Sequence, residues 1–191
     1  MTEPDPKKYK TIYADPPWLE RGGGKIKRGA DRHYPLMKTA DIKALPVEAL
    51  AEDNAHLYLW VTNNFLMDGL EVMKAWGFRY VTTITWAKDR IGLGQYFRGQ
   101  TEHILFGVKG NLPYKLNAEG KRQQGTTLVE AKRTEHSVKP EEFRKMIEKV
   151  SYAPYVELFA RRPADGWSVW GNQVETEVGL PIQNEFYKTD S

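Results

Sequence analysis

The chain has 191 residues, a length that suits one domain built around a single hydrophobic core. It contains no cysteine and no run of about 18 apolar residues, so we expect no disulfide, no thiolate metal site and no membrane span. The net charge of +3 is compatible with a nucleic-acid partner but also with an ordinary basic protein, and the four scattered histidines lack the spacing of a metal site.

The first predicted elements are a short strand and a basic loop. Residues 1–10 are polar and lack the apolar core of a signal peptide, which predicts a cytoplasmic protein. Residues 10–14 are β-prone, and this strand must end at Asp15 because two prolines follow and proline cannot donate to a ladder. Residues 22–29 contain three successive glycines and three cations, which predict a basic loop.

Helices and strands then alternate along the chain. Thr39 can cap a helix over about 40–52, and the apolar run at 56–61 predicts a strand buried on both faces. Asn63 or Asn64 can cap a helix over 65–76 that stops at Gly77. The remaining segments are a strand at 78–86, a glycine-containing basic loop at 88–99, a strand at 102–108, a polar irregular segment at 109–124, an ambiguous charged segment at 130–136, a helix from Lys139 to about 149, and strands at 156–160 and 168–170.

This alternation predicts an α/β fold with a doubly wound, mostly parallel sheet. We expect a single domain over residues 1–191, with flexible ends at 1–8 and 181–191. Ligands of such sheets bind at the carboxyl ends of the strands. The residues predicted to lie at strand ends are Asp15, Thr62, Lys88 and Arg161.

The turn Asp15-Pro16-Pro17-Trp18 combines a carboxylate, a rigid backbone and a flat ring. The carboxylate of Asp15 and the carbonyl of Pro16 can accept both hydrogens of an exocyclic amino group such as adenine N6, which frees its lone pair to attack a methyl sulfonium. Two successive prolines stiffen the turn, and Trp18 offers a face on which an extruded base can stack. The alternative is a rigid structural turn with Trp18 in the core.

Further motifs follow this turn in a fixed order over most of the chain. Together with residues 14–18 they are Tyr34 with Met37, residues 57–62, residues 77–78 with Trp86 and Lys88, residues 102–110, residues 136–140, residues 156–161 and residues 170–173. The ordered set resembles the MT-A70 family of N6-adenine methyltransferases.

The resemblance implies a permuted, Rossmann-like fold that binds S-adenosylmethionine, with the catalytic turn before the cofactor strand. This order accounts for the absence of a Gly-x-Gly-x-x-Gly loop. The catalytic residues implied are Asp15, Pro16, Pro17 and Trp18. The cofactor-binding residues implied are Asp15, Lys139, Glu157, Phe159, Arg161, Asn172 and Gln173, and whether Arg161 or Arg162 faces the cofactor stays open.

Several of these residues also have a plainer interpretation. Lys139 can be an exposed lysine at a helix start, and Glu157 can form a simple ion pair with Arg161. Asn172 and Gln173 can form a surface turn. His136 is a poor candidate for acid–base catalysis, because the reaction needs no general base near neutral pH.

Cations and aromatic rings are interspersed in three loops that follow predicted strands, at 19–35, 88–99 and 109–133. Cations suit phosphates and rings suit bases, so we expect all three loops to rim one nucleic-acid pocket; a solvated basic surface is the alternative. The candidate substrate-binding residues are Trp18, Lys25, Lys27, Arg28, Tyr34, Lys88, Arg98, Lys121 and Arg122.

The features together predict methylation of adenine N6 in nucleic acid by a monomer or homodimer. DNA is favoured over RNA, because minimal stand-alone members of the family resemble phage and bacterial modification enzymes. The alternatives are an RNA methyltransferase, a catalytically silent nucleic-acid-binding paralogue, and a methyltransferase acting on a small molecule or a protein amide. The intact Asp15 and its prolines argue against the silent paralogue.

Overall fold

The computed structural model describes residues 7–19, 36–94, 96–133 and 138–180. Its strands are β1 Tyr9–Ala14, β2 Ala51–Val61, β3 Arg79–Lys88, β4 Thr101–Lys109, β5 Leu128–Ala131, β6 Tyr155–Leu158 and β7 Trp167–Trp170. Its helices are α1 Thr39–Ala44, α2 Val47–Leu50, α3 Leu66–Ala75 and α4 Glu141–Val150, and a 3-10 turn over Asn63–Phe65 precedes α3. No helix in these described ranges is long and apolar enough to cross a membrane.

The strands of the described residues form one seven-stranded sheet in the order β5-β3-β4-β2-β1-β6-β7. β1 is parallel to β2 and β6, and the pairs β6–β7 and β3–β5 are also parallel. β4 is antiparallel to both of its neighbours, β2 and β3. The predicted mostly parallel sheet is therefore confirmed. We call the edge at which β1 ends the upper edge and the edge at which β4 ends the lower edge; every strand except β4 ends at the upper edge.

Helices cover both faces of the sheet because β2 is apolar on both faces. Successive residues of a strand point to opposite faces, so Leu59 and Trp60 belong to different cores. Leu59 shares one core with Val72 of α3. Trp60 packs edge-on against Phe143 of α4 on the other face, with ring centroids 4.8 Å apart. This is the doubly wound arrangement that the alternating elements predict.

The helix predicted over 40–52 is wrong in extent. It is split into α1 and α2 at Leu45, whose extended backbone (φ −62°, ψ 130°) follows from the proline at position 46. Strand β2 consequently begins at Ala51 rather than at His56. Thr39 is the first residue of α1 and does not cap it; its hydroxyl instead donates to Asp68 Oδ1 at 2.7 Å.

The other boundaries differ less from the prediction. Gly77 does follow α3 with a left-handed backbone (φ +82°), which confirms the predicted stop. Asn63 and Asn64 lie in the 3-10 turn and do not cap α3 with their side chains. Strand β5 was not predicted, because its four residues sit among charged and polar neighbours and reveal no clear period.

Candidate active site

A cleft opens at the upper edge, where β1 and β6 end beside the start of α4. The space between its walls is about 560 Å³, a volume that includes the part open to solvent. Charged side chains line the cleft. The cations are Lys139, Arg144, Arg161 and Arg162, and the carboxylates are Asp15, Glu141 and Glu157. Phe159 also lines it. Five of the predicted cofactor-binding residues therefore line one cleft. Arg161 and Arg162, between which the sequence did not decide, both line it.

The acidic turn at the end of β1 is held in place by its own backbone. The N–H of Trp18 donates to the Pro16 carbonyl at 3.0 Å, and the N–H of Met37 donates to the Pro17 carbonyl at 2.7 Å. Both prolines are buried. A carbonyl oxygen has two lone pairs, so the Pro16 carbonyl can accept a second hydrogen bond from a substrate. Asp15 is thus presented by a rigid support.

Trp18 lies in the core rather than in the cleft. The residue is 9% exposed, its ring stacks on Phe65 with centroids 5.5 Å apart, and its indole N–H donates to the Trp60 carbonyl at 3.1 Å. This position matches the structural alternative raised from the sequence. Stacking of a base on Trp18 stays a prediction, and it requires the indole to leave the Phe65 stack.

A chain of ion pairs connects the acidic turn to the middle of the sheet. Lys139 Nζ lies 3.1 Å from Asp15 Oδ2 and 3.1 Å from Glu102 Oε2. Lys88 Nζ lies 2.7 Å from the other oxygen of Glu102. Lys139 also stands over the Trp60 ring, 5.0 Å from its centroid. Lys139 is therefore not the exposed helix-start lysine of the plainer interpretation, and its side chain is only 15% exposed.

Burial and opposite charges compete in this network. Burial raises the pKa of Asp15 above its ordinary value, and Lys139 and Arg161 only partly offset the effect. Burial also works against the charged form of Lys139, but Asp15 and Glu102 outweigh it and raise its pKa above the ordinary lysine value. Burial opposes ionisation of Glu102 too, yet Lys139 and Lys88 hold its pKa below the usual range. Of the three groups, Asp15 is therefore the one whose charged form is disfavoured relative to its ordinary state.

Glu157 faces the same cleft but pairs with an unexpected partner. Its carboxylate is in close contact with the guanidinium of Arg144, whose other terminal nitrogen lies 3.3 Å from Glu141. The ion pair with Arg161 considered from the sequence is replaced by this contact. Burial raises the pKa of Glu157 despite the pairing with Arg144.

Phe159 directly follows β6 in a left-handed backbone conformation (φ 62°). This conformation costs a bulky residue about 1–3 kcal/mol and is common at functional sites. Its ring is buried edge-on against Trp170, with centroids 5.2 Å apart. The strained residue turns the chain sharply where Arg161 enters the cleft.

Asn172 and Gln173 follow β7 at the upper edge, exposed and outside the walls of the cleft. Gly171 brings their turn against the chain next to Arg161, since a Cβ at this glycine would lie 2.1 Å from the Ala160 carbonyl oxygen. The two amides therefore neighbour the cleft without closing it.

The predicted substrate-binding residues do not share one rim. Lys88 ends β3 at the upper edge, but its ammonium group is bound by Glu102. Arg98 is exposed in the loop that follows β3 at the same edge. Outside the described residues lie Lys25, Lys27, Arg28 and Tyr34, and also His136.

The expectation that residues 109–133 rim the same pocket is wrong for the segment that carries Lys121 and Arg122. Because β4 is antiparallel, this segment begins at the lower edge. Its Lys115 N–H donates at 2.8 Å to the carbonyl of Val150, the last residue of a helix that starts at the upper edge. Arg122 is engaged there, where it donates to the Tyr114 hydroxyl at 3.0 Å.

Sequence reasoning missed three charged residues of the site, Glu141 among the cleft walls and also Glu102 and Arg144. Glu102 lies two residues before the buried Ile104 and opposite Trp86 in the ladder, so its strand period already placed a carboxylate on an aromatic core face. Arg144 lies four residues after Pro140, which places it on the helix face that meets the cleft. The strand period and the helix spacing were both visible in the sequence, but neither shows which other elements the two side chains face.

Known proteins share these motifs over nearly the whole chain. A sequence model of the MT-A70 family matches residues 9–173. The type II methyltransferase M.MunI of Mycoplasma sp. is 31% identical over 201 residues, which cover 94% of this chain and 84% of M.MunI. The N(6)-adenosine-methyltransferase MT-A70-like protein of Arabidopsis thaliana is also 31% identical over 93% of this chain, and the N(6)-adenosine-methyltransferase catalytic subunit METTL3 of Homo sapiens is 31% identical over 88%.

The extent of the match differs between these relatives. The chain spans most of M.MunI but only 25% of the A. thaliana protein and 28% of human METTL3. The family match and the similarity to M.MunI nevertheless both run through the acidic turn and β6. The chain belongs to the MT-A70 methyltransferase family.

Proposed function

We propose that this chain transfers the methyl group of S-adenosylmethionine to the exocyclic N6 of adenine in DNA. The observation that carries the proposal is the placement of Asp15, which a proline-stiffened turn presents to a charged cleft and which Lys139 contacts at 3.1 Å. A fixed acceptor of this kind is what a weakly nucleophilic amino group requires.

The side chains of the cleft fit S-adenosylmethionine. This cofactor carries a carboxylate, an ammonium group and ribose hydroxyls besides the sulfonium that supplies the methyl group. Arg161 and Arg162 offer cations for the carboxylate, and Glu157 and Asp15 offer acceptors for the ammonium group or the hydroxyls. The family resemblance adds amides for the adenosine part, at the two residues that follow Gly171.

The acidic turn can activate adenine from two sides. N6 is a weak nucleophile because its lone pair is delocalised into the ring. The carboxylate of Asp15 accepts one N6 hydrogen and the carbonyl of Pro16 accepts the other, which draws the nitrogen toward tetrahedral geometry. When bound, S-adenosylmethionine would supply the methyl group: the N–C bond would form as the C–S bond breaks, and the N6 proton, acidic only then, would pass to Asp15 and on to solvent. Asp15 therefore needs to be ionised but need not be a strong base.

Lys139 acts as a positioning residue for this step. Its contact with Asp15 fixes the carboxylate beside the turn and opposes the rise in pKa that burial causes. Its second contact, with Glu102, holds the ammonium group from the opposite side. The ion pair between Lys139 and Asp15 keeps the Asp15 carboxylate charged before the adenine arrives. This is the preorganisation that the reaction needs.

DNA is the favoured substrate on two grounds. The chain spans most of M.MunI, a type II methyltransferase, but only about a quarter of the relatives named for adenosine methylation. Its motifs also resemble the minimal phage and bacterial modification enzymes of the family. Asp15 and both prolines are intact, which favours an active enzyme over a silent paralogue.

Incubation with methyl-labelled S-adenosylmethionine and four polymers tests this proposal. Unmethylated DNA and RNA, each single- and double-stranded, are digested to nucleosides and analysed by mass spectrometry. We expect labelled N6-methyl-deoxyadenosine from DNA. Label found mainly in RNA would replace DNA by RNA as the substrate, and no label in N6-methyladenine from any polymer would contradict the proposed function.

A further inference from the structure

Hydrogen bonds join the two sides of the hairpin loop between β3 and β4 over its described residues, 89–94 and 96–100. The N–H of Gly92 donates to the Gly99 carbonyl at 2.6 Å, and the N–H of Gly99 donates to the Leu93 carbonyl at 3.1 Å. The Arg98 Nε–H donates to the Gly92 carbonyl at 2.7 Å. A Cβ at Gly94 would lie 2.1 Å from the Phe97 carbonyl oxygen, so glycine is needed at this close approach.

The hairpin presents two aromatic rings at its tip. Tyr96 is fully exposed and Phe97 is 87% exposed. Tyr96 has a left-handed backbone (φ 51°), which is uncommon for a non-glycine residue. The hairpin also exposes the apolar side chains of Ile91 and Leu93. Several large apolar side chains exposed on one short hairpin are typical of an interaction site.

The hairpin extends from the proposed catalytic network. It starts directly after Lys88, which lies 2.7 Å from Glu102. Glu102 contacts Lys139 at 3.1 Å, and Lys139 contacts Asp15 at 3.1 Å. Three successive ion pairs therefore link the base of the hairpin to the acidic turn, and both lie at the upper edge of the sheet.

Cations flank the aromatic tip. Arg90 and Arg98 are exposed on the hairpin itself. Asp89 Oδ1 accepts a hydrogen bond from the backbone N–H of Arg133 at 2.8 Å, which brings the exposed Lys132 and Arg133 alongside. The hairpin and the chain beside it therefore expose four cations, Arg90, Arg98, Lys132 and Arg133. Phosphates are the complementary groups for such a surface.

We propose that Tyr96 and Phe97 form a wedge that enters the base stack of duplex DNA at the position left by the target adenine. Arg90, Arg98 and Arg133 bind the phosphates that flank the extruded nucleotide. This inference rests on the proposed function, and it specifies that the target adenine is base-paired in a duplex. A base in a duplex cannot reach Asp15 until it is extruded, and apolar side chains that enter the stack compensate the loss of its stacking.

The test compares a paired and an unpaired target adenine. One duplex carries the sequence in which the polymer experiment finds N6-methyladenine, and a second duplex has an abasic residue opposite the target adenine. Methyl transfer to both is measured for the natural chain, for Tyr96→Ala/Phe97→Ala and for Leu116→Ala. Leu116 is an exposed apolar residue of the lower-edge segment and serves as the matched control.

We expect the double variant to methylate the paired adenine at least about tenfold more slowly and the adenine opposite the abasic residue within about twofold of the natural rate, because an unpaired base is extruded at little cost. Leu116→Ala should match the natural chain on both duplexes. The fluorescence of 2-aminopurine at the target position should increase when the natural chain binds the paired duplex, and this increase should be lost in the double variant.

Three results would overturn the wedge while leaving the proposed function intact. They are equal losses on both duplexes, unchanged rates on both, and methylation by the natural chain of single strands only. An equal loss accompanied by a change in sedimentation from dimer to monomer would assign the tip to a contact between copies of the chain. Absence of methylation on every polymer would instead contradict the proposed function itself.

Discussion

Polar side chains are buried at both edges of the sheet, but only the upper-edge network is charged. At the lower edge, Ser151 Oγ lies 2.7 Å from His56 Nδ1 and 2.6 Å from the Tyr58 hydroxyl. All three side chains are buried and satisfied within the protein. At the upper edge, Lys139 joins two carboxylates, and the side chain of Asp15 keeps 30% of its surface exposed. Buried polarity alone therefore does not mark a site; charge with residual exposure to a cleft does.

The neutral network has a definite direction of hydrogen bonding. His56 Nε2 lies 2.7 Å from the Leu112 carbonyl, which can only accept, so Nε2 carries the hydrogen. Nδ1 then accepts from the Ser151 hydroxyl, which in turn accepts from Tyr58. These bonds fasten the segment after β4 to the end of α4. The neutral network therefore stabilises the fold, whereas the charged network at the upper edge borders the cleft.

Among changes to the charged partners of Asp15, Lys139→Ala should have the largest effect on methyl transfer. Removal of the ammonium group leaves Asp15 and Glu102 as neighbouring carboxylates, so the pKa of Asp15 rises further above its ordinary value. We expect methyl transfer to fall by at least about tenfold at neutral pH. The acid limb of the pH–rate profile should move to higher pH, because the rate requires ionised Asp15.

Glu102→Gln is the matched control for this change. The negative charge of Glu102 raises the pKa of Asp15, so its removal should move the acid limb to lower pH. Opposite displacements in the two variants support the coupling of Asp15 to Lys139. If both variants keep the natural acid limb, Asp15 does not control the rate.

Ser151→Ala should reduce stability and leave the chemistry unchanged. The substitution removes the partner of His56 Nδ1 and of the Tyr58 hydroxyl, and unsatisfied buried groups cost about 1–3 kcal/mol. Urea unfolding measures this loss. Methyl transfer per folded molecule should remain within about twofold of the natural rate. A tenfold slower reaction at unchanged stability would show that the two edges do not have separate roles.

The same network predicts how stability depends on pH. Burial lowers the pKa of His56, although its hydrogen bond to Leu112 opposes the shift. The unfolded chain therefore binds a proton more readily than the folded chain, and the free energy of unfolding falls as pH drops below about 6.5. In His56→Gln this decrease should be smaller, because the titrating group is absent.

The smallest effect is expected from the cations of the lower edge. Lys121→Ala/Arg122→Ala should leave the salt dependence of DNA binding unchanged, whereas Arg98→Ala should reduce the slope of log K against log salt by about 1. Binding titrations at several salt concentrations measure the slopes. A reduced slope in the lower-edge variant with none in Arg98→Ala would reverse the assignment of the DNA-binding edge.

Local chemistry predicted much of the fold and of the cleft. Prolines had to end β1, Pro140 had to begin a helix, and a run apolar on both faces had to lie between layers. Ligand sites of such sheets lie at strand ends, which placed Asp15 and Arg161 together.

Properties that depend on strand direction were not predictable in the same way. Nothing in the residues 101–109 reveals that β4 runs antiparallel, and this one fact moves Lys121 and Arg122 to the lower edge. The inward position of Glu102 depends on the same pairing with β3. The ion pairs of Lys139 likewise join three separate parts of the chain, so no local pattern displays them.

Asp15→Ala tests the central claim most directly. S-adenosylmethionine binding is measured by calorimetry, and N6-methyl-deoxyadenosine is measured by mass spectrometry after incubation with DNA. We predict that the variant still binds the cofactor and forms the product at least about 100-fold more slowly than the natural chain. Product formed at the natural rate by a folded Asp15→Ala protein would contradict the role of the acidic turn.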